Sequence, residues 1–200
     1  VRRRGRAVTV LPVENDGFAD MDAARAAIRP GVARVAAMLV NNEIGVIQPT
    51  AALARLARDA GALFLCDAVQ GYGRVPIPDG CDMIAISAHK IHGPKGVGGL
   101  WLRDGVRPAP LLHGGGQEAG LRSGTLSPAL CAGFGVAARL MRERADADRT
   151  HVESLASLAR LALPDWSLNG SATHRYPGNL NLRRDGIDGA RLLSYCRNVA

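Results

Sequence analysis

Apolar residues in this chain fall into short dense runs, separated by segments in which they recur every three or four positions. VARVAAMLV (32–40), ALFLC (62–66), DMIAIS (82–87) and GVGGLWLR (96–103) are the dense runs. Each has the length of a strand and is apolar almost throughout, the mark of a strand covered on both faces. AVTVLPV (7–13) has the same character and is expected to be a further strand. AALARLARDA, opened by Pro49-Thr50 and closed by Gly61, has helical spacing. Asp20 is placed to cap a helix that runs to about Arg29 and is stopped by Pro30-Gly31. Further on, a long helix is expected from about Ser127 to Arg149 and another over about 151–163. A strand around NLNL (179–182) and a helix from about Asp188 follow. Near-continuous strands alternating with amphipathic helices predict an α/β fold with a mainly parallel sheet and helices on both faces. Residues 1–149 are expected to form a large domain, and 150–200 the beginning of a smaller α+β C-terminal domain.

The chain has 200 residues, 47% of them hydrophobic, enough for a sizeable core. No apolar run is long enough to span a bilayer, and VRRRGRAVTVLPV lacks the apolar core and cleavage site of a signal peptide. The net charge is +7. The arginines are spread along the whole chain and aromatics make up only 4%, so neither a basic patch nor a stacking platform for nucleic acid is evident. Cys66, Cys81, Cys131 and Cys196 form no C-x-x-C pair and no zinc-like cluster with histidine. They lie in or beside apolar runs and are expected to be buried, reduced thiols of a cytoplasmic protein.

Polar residues follow the buried runs at three successive points. Asn41-Asn42-Glu43 come after the first, Asp67 and Gln70 after the second, and Ser87, His89 and Lys90 after the third. In open α/β sheets the carboxyl ends of the strands are where ligands bind. Lys90 stands out further. Among 25 basic side chains, lysine occurs only at 90 and 95. Arginine supplies positive charge as well as lysine does, but it does not give up a proton near neutral pH and attack a carbonyl. Retention of Lys90 after an apolar strand therefore suits amine chemistry, with a Schiff base to pyridoxal phosphate as the leading candidate. Asp67 suits the ring-nitrogen partner of that cofactor, and Ser87 and His89 suit its phosphate. Lys95, within Gly-Pro-Lys-Gly, has the setting of a surface turn.

Two other chemistries are excluded. His113-Gly114-Gly115-Gly116 has the look of an esterase oxyanion loop, but no serine sits in a G-x-S-x-G elbow. Neither lysine has the Gly before it and Ser or Thr after it that a nucleotide-binding P-loop requires.

The motifs NNEIG (41–45), DAVQ (67–70), SAHK (87–90) and HGGGQE (113–118), followed by RSGT (122–125), resemble the cysteine desulfurases of the NifS/IscS type. These are class V aminotransferase-family enzymes that depend on pyridoxal phosphate. The resemblance runs over nearly the whole chain and implies the large domain of a fold-type I transferase. It implies that Lys90 forms the Schiff base and then moves the α-proton of L-cysteine, and that Asp67 pairs with the pyridine nitrogen. Asn42 and Gln70 would lie near the phenolic oxygen. Ser87, the Ala88 backbone and His89 would contact the phosphate, and Thr125 would reach the phosphate of the other subunit of a homodimer. Arg122 and His113 would support the same loop. L-Alanine and an enzyme persulfide would be the products, the sulfur passing to an acceptor or iron–sulfur scaffold protein. By the same resemblance the chain is a central fragment, inactive alone. It would lack the front of the enzyme and the loop with the nucleophilic cysteine, which is expected beyond Cys196, itself a packing residue. Selenocysteine lyase, kynureninase, an aminotransferase of the same fold or a non-catalytic remnant are the alternatives.

Overall fold

The computed structural model describes residues 5–196. Asp20 starts the first helix as expected. Its carboxylate accepts hydrogen bonds from the Asp22 and Ala23 N–H groups, both at 2.9 Å. Helix α1 (Met21–Ala27) ends two residues short of Arg29, because Ile28 already adopts an extended conformation. Strand β1 (Arg34–Met38) follows, then helix α2 (Thr50–Asp59). Leu53, Ala54 and Ala57 form the buried face of α2. Gly61, at φ +71°, turns the chain out of it at no steric cost. Strands β2 (Leu63–Asp67) and β3 (Met83–Ser87) come next, with a 3-10 turn over Ala88–Ile91, and then β4 (Gly98–Leu102).

The four strands lie in chain order in one sheet. β1, β2 and β3 are parallel, with Met38 opposite Asp67 and Asp67 opposite Ala85. β4 runs antiparallel to β3, with Ser87 opposite Gly98. A Cβ on Gly98 would stand 2.7 Å from the Ile86 carbonyl oxygen, so only glycine fits there. Phe64, Leu53 and Cys66 are fully buried between the sheet and α2 and form the centre of the core, joined by Leu39, Val40 and Ala24. At the amino end of β3, buried Asp82 accepts from the Phe64 N–H at 2.7 Å and from Arg103 Nε at 2.7 Å, which fixes where β2, β3 and β4 start.

Four expectations need correction. Residues 7–13 form no strand. Val8, Val10 and Val13 are 40%, 77% and 61% exposed, and only Val13 makes a bridge, to Ala19. An apolar run becomes a strand only where a neighbour can pair with it, and among the described residues this one has none. The two helices expected over 127–163 are one helix, α3 (Pro128–Ala162). No glycine or proline interrupts residues 145–155, and the Thr150 hydroxyl bonds back to the Asp146 carbonyl at 3.0 Å, inside the helix. Position 149/150 therefore falls within an unbroken helix. The strand expected at 179–182 is the short β6 (Leu182–Arg183), paired antiparallel with β5 (Ser167–Leu168). Lastly, Cys66 and Cys81 are buried free thiols, but Cys131 is exposed on the first turn of α3 and Cys196 is half-buried. A hydrogen bond with Cys81, together with burial, pushes the Cys66 thiol up. Helix α4 (Gly189–Tyr195) starts where expected, with Asp188 as its cap. No helix among the described residues is long and apolar enough to cross a membrane.

Candidate active site

Parallel pairing of β1, β2 and β3 brings their carboxyl ends to one edge of the sheet, and the candidate residues between Asn42 and Lys90 follow those ends. Asp67 is the last residue of β2. Its Oδ1 accepts from the Val69 N–H at 3.0 Å, which orients the carboxylate at the start of the following turn. Two residues beyond Ala85, its neighbour on β3, stands Ser87. The Ser87 hydroxyl and His89 Nδ1 are 2.8 Å apart, so these two side chains meet on one side of the 3-10 turn that carries Lys90. Ala88 and Ile91 are the buried members of that turn, and Lys90 is half-buried. His92 closes it at φ +64°, left-handed, and the Gly93 N–H donates back to the Ala88 carbonyl at 2.9 Å.

One expected contact is withdrawn here. The Ala88 N–H donates to the Val97 carbonyl at 3.2 Å, as part of the link to β4. That amide is spent inside the fold and is not available to a phosphate.

The turn after β1 is held by Asn41, whose Oδ1 accepts from the Glu43 and Ile44 N–H groups at 2.9 and 3.0 Å. Asn42 is left exposed, its amide donating to the Glu43 carboxylate. Gly45 continues the turn at φ +71°, and a Cβ there would meet Asn179 at 2.8 Å. The 169–181 segment staples this corner. Asn179 donates to the Asn42 carbonyl at 2.8 Å and Asn181 to that of Glu43 at 3.1 Å. Arg175 donates to four carbonyls, those of Asn169, Ser171, Ile44 and Asn179, at 3.3, 3.0, 3.0 and 2.6 Å. Burial, and then the charge of Arg160, lower the pKa of Arg175.

Arg74 joins the second and third corners. Its Nη1 donates to the Gln70 carbonyl at 3.1 Å and to Gln70 Oε1 at 2.8 Å, and its Nη2 donates to the Lys90 carbonyl at 2.8 Å. The guanidinium carbon lies 5.5 Å from the centre of the Tyr176 ring. A cavity of about 670 Å³ opens beside it, walled by Lys90, Arg74, Tyr72, Tyr176 and the middle of α3. Asp67, Gln70, Ser87 and His89 are not among its walls; they lie along the rim of the sheet.

His113, Arg122 and Thr125 lie apart, all exposed, in the loop between β4 and α3. This loop is organised by its own side chains. Buried Ser123 donates to the Gly115 carbonyl at 2.6 Å, and Gln117 Oε1 accepts from the Gly124 N–H at 3.1 Å. Arg122 donates to the carbonyls of Ser123 and Gly124 at 3.3 and 3.1 Å. Among the described residues no hydrogen bond ties His113, Arg122 or Thr125 to the Lys90 turn.

Sequence reasoning missed Arg74, Arg175, Asn179 and Ser123. Only Arg74 left a local trace, four residues after Gln70; the others act through contacts distant in sequence, or on backbone atoms that no motif displays.

The fold and this rim define the class. Residues 1–199 match the Aminotransferase class-V family, and the chain belongs to it. The chain is 43% identical over 208 residues to a probable mitochondrial cysteine desulfurase of Schizosaccharomyces pombe, covering 100% of this chain and 42% of that protein. Among solved structures it is similar to a NifS-like protein, with a TM-score of 0.90 and 32% identity over 96% of this chain and 55% of that one. It is also similar to SspA in complex with cysteine, with a TM-score of 0.82 and 29% identity over 98% of this chain and 56% of that one. The chain thus spans about half the length of the relatives it matches. The expectation of a cytoplasmic protein is overturned. Relatives from Schizosaccharomyces pombe, Candida albicans and Saccharomyces cerevisiae are named as mitochondrial proteins.

Proposed function

We propose that this chain is the cofactor-binding part of a cysteine desulfurase, which takes the sulfur from L-cysteine and releases L-alanine. The observation that carries the proposal is the gathering of Asp67, Gln70, Ser87, His89 and Lys90 on the carboxyl edge of adjacent strands β2 and β3. This donor set fits pyridoxal phosphate. A primary amine matches its aldehyde, a carboxylate its pyridine nitrogen, an amide its phenolic oxygen, and a hydroxyl with an imidazole its phosphate. When bound, the cofactor supplies an electron sink for the charge left at a substrate's α-carbon. Lys90 holds the cofactor and afterwards carries the proton to and from that carbon. Asp67 keeps the ring nitrogen protonated, and its turn fixes the carboxylate through the Val69 N–H. Asn42 borders the site from β1, and the main chain around it is held by Asn179.

The thiol that accepts the sulfur is assigned to none of the four cysteines here. Cys66 and Cys81 are buried, Cys131 sits on α3, and Cys196 ends α4. The family resemblance puts it in a loop after Cys196. We further propose that the protein is a homodimer in which Thr125, with Arg122 and His113, serves the partner's site. Their exposure on a self-supporting loop suits that role. An acceptor or iron–sulfur scaffold protein would then take the sulfur. Residues 1–149 are proposed as the large domain and 150–200 as the start of the small one, with α3 running through both.

The test is to purify the full-length protein with pyridoxal phosphate, reduce it with borohydride and map the label. The label is expected on Lys90, and Lys90→Ala should lose the visible absorbance and more than about 10³-fold of the sulfide release from L-cysteine. Labelling of another amine in the Lys90→Ala protein would overturn the assignment.

A further inference from the structure

We infer that Arg74 is a positioning residue, setting which end of the Gln70 amide faces the cofactor site. The inference rests on the function proposed above. A glutamine amide presents an acceptor oxygen at one end and a donor NH₂ at the other, and nothing intrinsic prevents it from turning over. A guanidinium has donors only. The Gln70 atom 2.8 Å from Arg74 Nη1 is therefore the oxygen, and the NH₂ is turned away from Arg74. The phenolic oxygen assigned to Gln70 is an acceptor, so it requires that NH₂. Arg74 fixes the amide in the one orientation that suits the cofactor.

The same guanidinium is itself held. Nη1 also takes the Gln70 carbonyl, Nη2 takes the Lys90 carbonyl, and Tyr176 lies alongside. One planar fork thus spans the Gln70 turn and the Lys90 turn, so the amide and the amine keep a common frame. Lysine keeps the charge but is a point donor and cannot reproduce the planar fork.

The titration of the coloured link between Lys90 and pyridoxal phosphate reads this out without any turnover. A hydrogen bond donated to the phenolic oxygen stabilises its anion and holds the pH midpoint down, so losing the donor raises the midpoint. In the full-length, cofactor-loaded protein, Arg74→Met is expected to raise the midpoint by about one unit, Gln70→Ala by a similar amount, and the double variant by no more than either alone. Arg74→Lys should fall between wild type and Arg74→Met. It decides the matter if thermal melting shows that Arg74→Met does not fold. An unmoved midpoint in folded, coloured Arg74→Met overturns the inference, and so does a full additional shift in the Gln70→Ala background. A wild-type protein that never colours overturns the proposed function, and this inference with it.

Discussion

Two arginines in this molecule do the same work in different settings. Arg175 binds four main-chain carbonyls from a half-buried position and closes the corner after β1 onto the 169–181 segment. Arg122 binds two carbonyls of its immediate neighbours on an exposed loop. The first joins segments some 130 residues apart in sequence; the second only stiffens its own turn. The corner on the sheet rim is therefore built by the fold. The loop around Thr125 is built by itself, with the side chains of His113, Arg122 and Thr125 left exposed.

The comparison is most easily broken at Arg175. Arg175→Ala leaves partly buried carbonyls without donors and should cost about 2–4 kcal/mol in urea unfolding. A loss under about 1 kcal/mol would mean that water replaces the guanidinium and the corner is not sealed. Ser123→Ala should cost about 1 kcal/mol, confined to the loop. The expected sign is faster proteolysis within 105–127 with little change in the urea midpoint. Arg122→Ala is the smallest, within about 0.5 kcal/mol of wild type by the same unfolding measurement, since Arg122 is exposed and bonds only its immediate neighbours. Equal losses at 122 and 175 would erase the distinction.

The sequence revealed most where side-chain chemistry and strand pattern coincide. The runs at 62–66 and 82–87 became β2 and β3, and the residues just after them stand on one edge because parallel neighbours end together. Asp20 and Gly61 were readable because a cap or a left-handed turn depends on the residue itself. What could not be read depended on distant partners. Nothing in AVTVLPV says that, among the described residues, no strand lies beside it. A helix boundary was expected near 150 where the chain has no breaker. The Ala88 amide looked available until β4 brought the Val97 carbonyl to it. Arg175 looked like any other basic residue in an arginine-rich chain, because its meaning lies in four backbone oxygens that only the folded segment assembles.

Helix α3 has a mechanical consequence. Its bearing on the body runs from Leu130 to Met141, with Ala137 against Gly93, Gly133 against Pro94 and Met141 against Gly73, while most side chains beyond 141 are exposed. From Ala137 to its end at Ala162 the helix extends about 37 Å at 1.5 Å per residue. A tilt of about 5° about Ala137 would swing the far tip by about 3 Å, and it would strain the bond from Arg149 Nη2 to the Arg74 carbonyl, 3.4 Å long. The bearing sits directly under the turn that carries Lys90, so the beam has its fulcrum where the chemistry is proposed and its load at the other end.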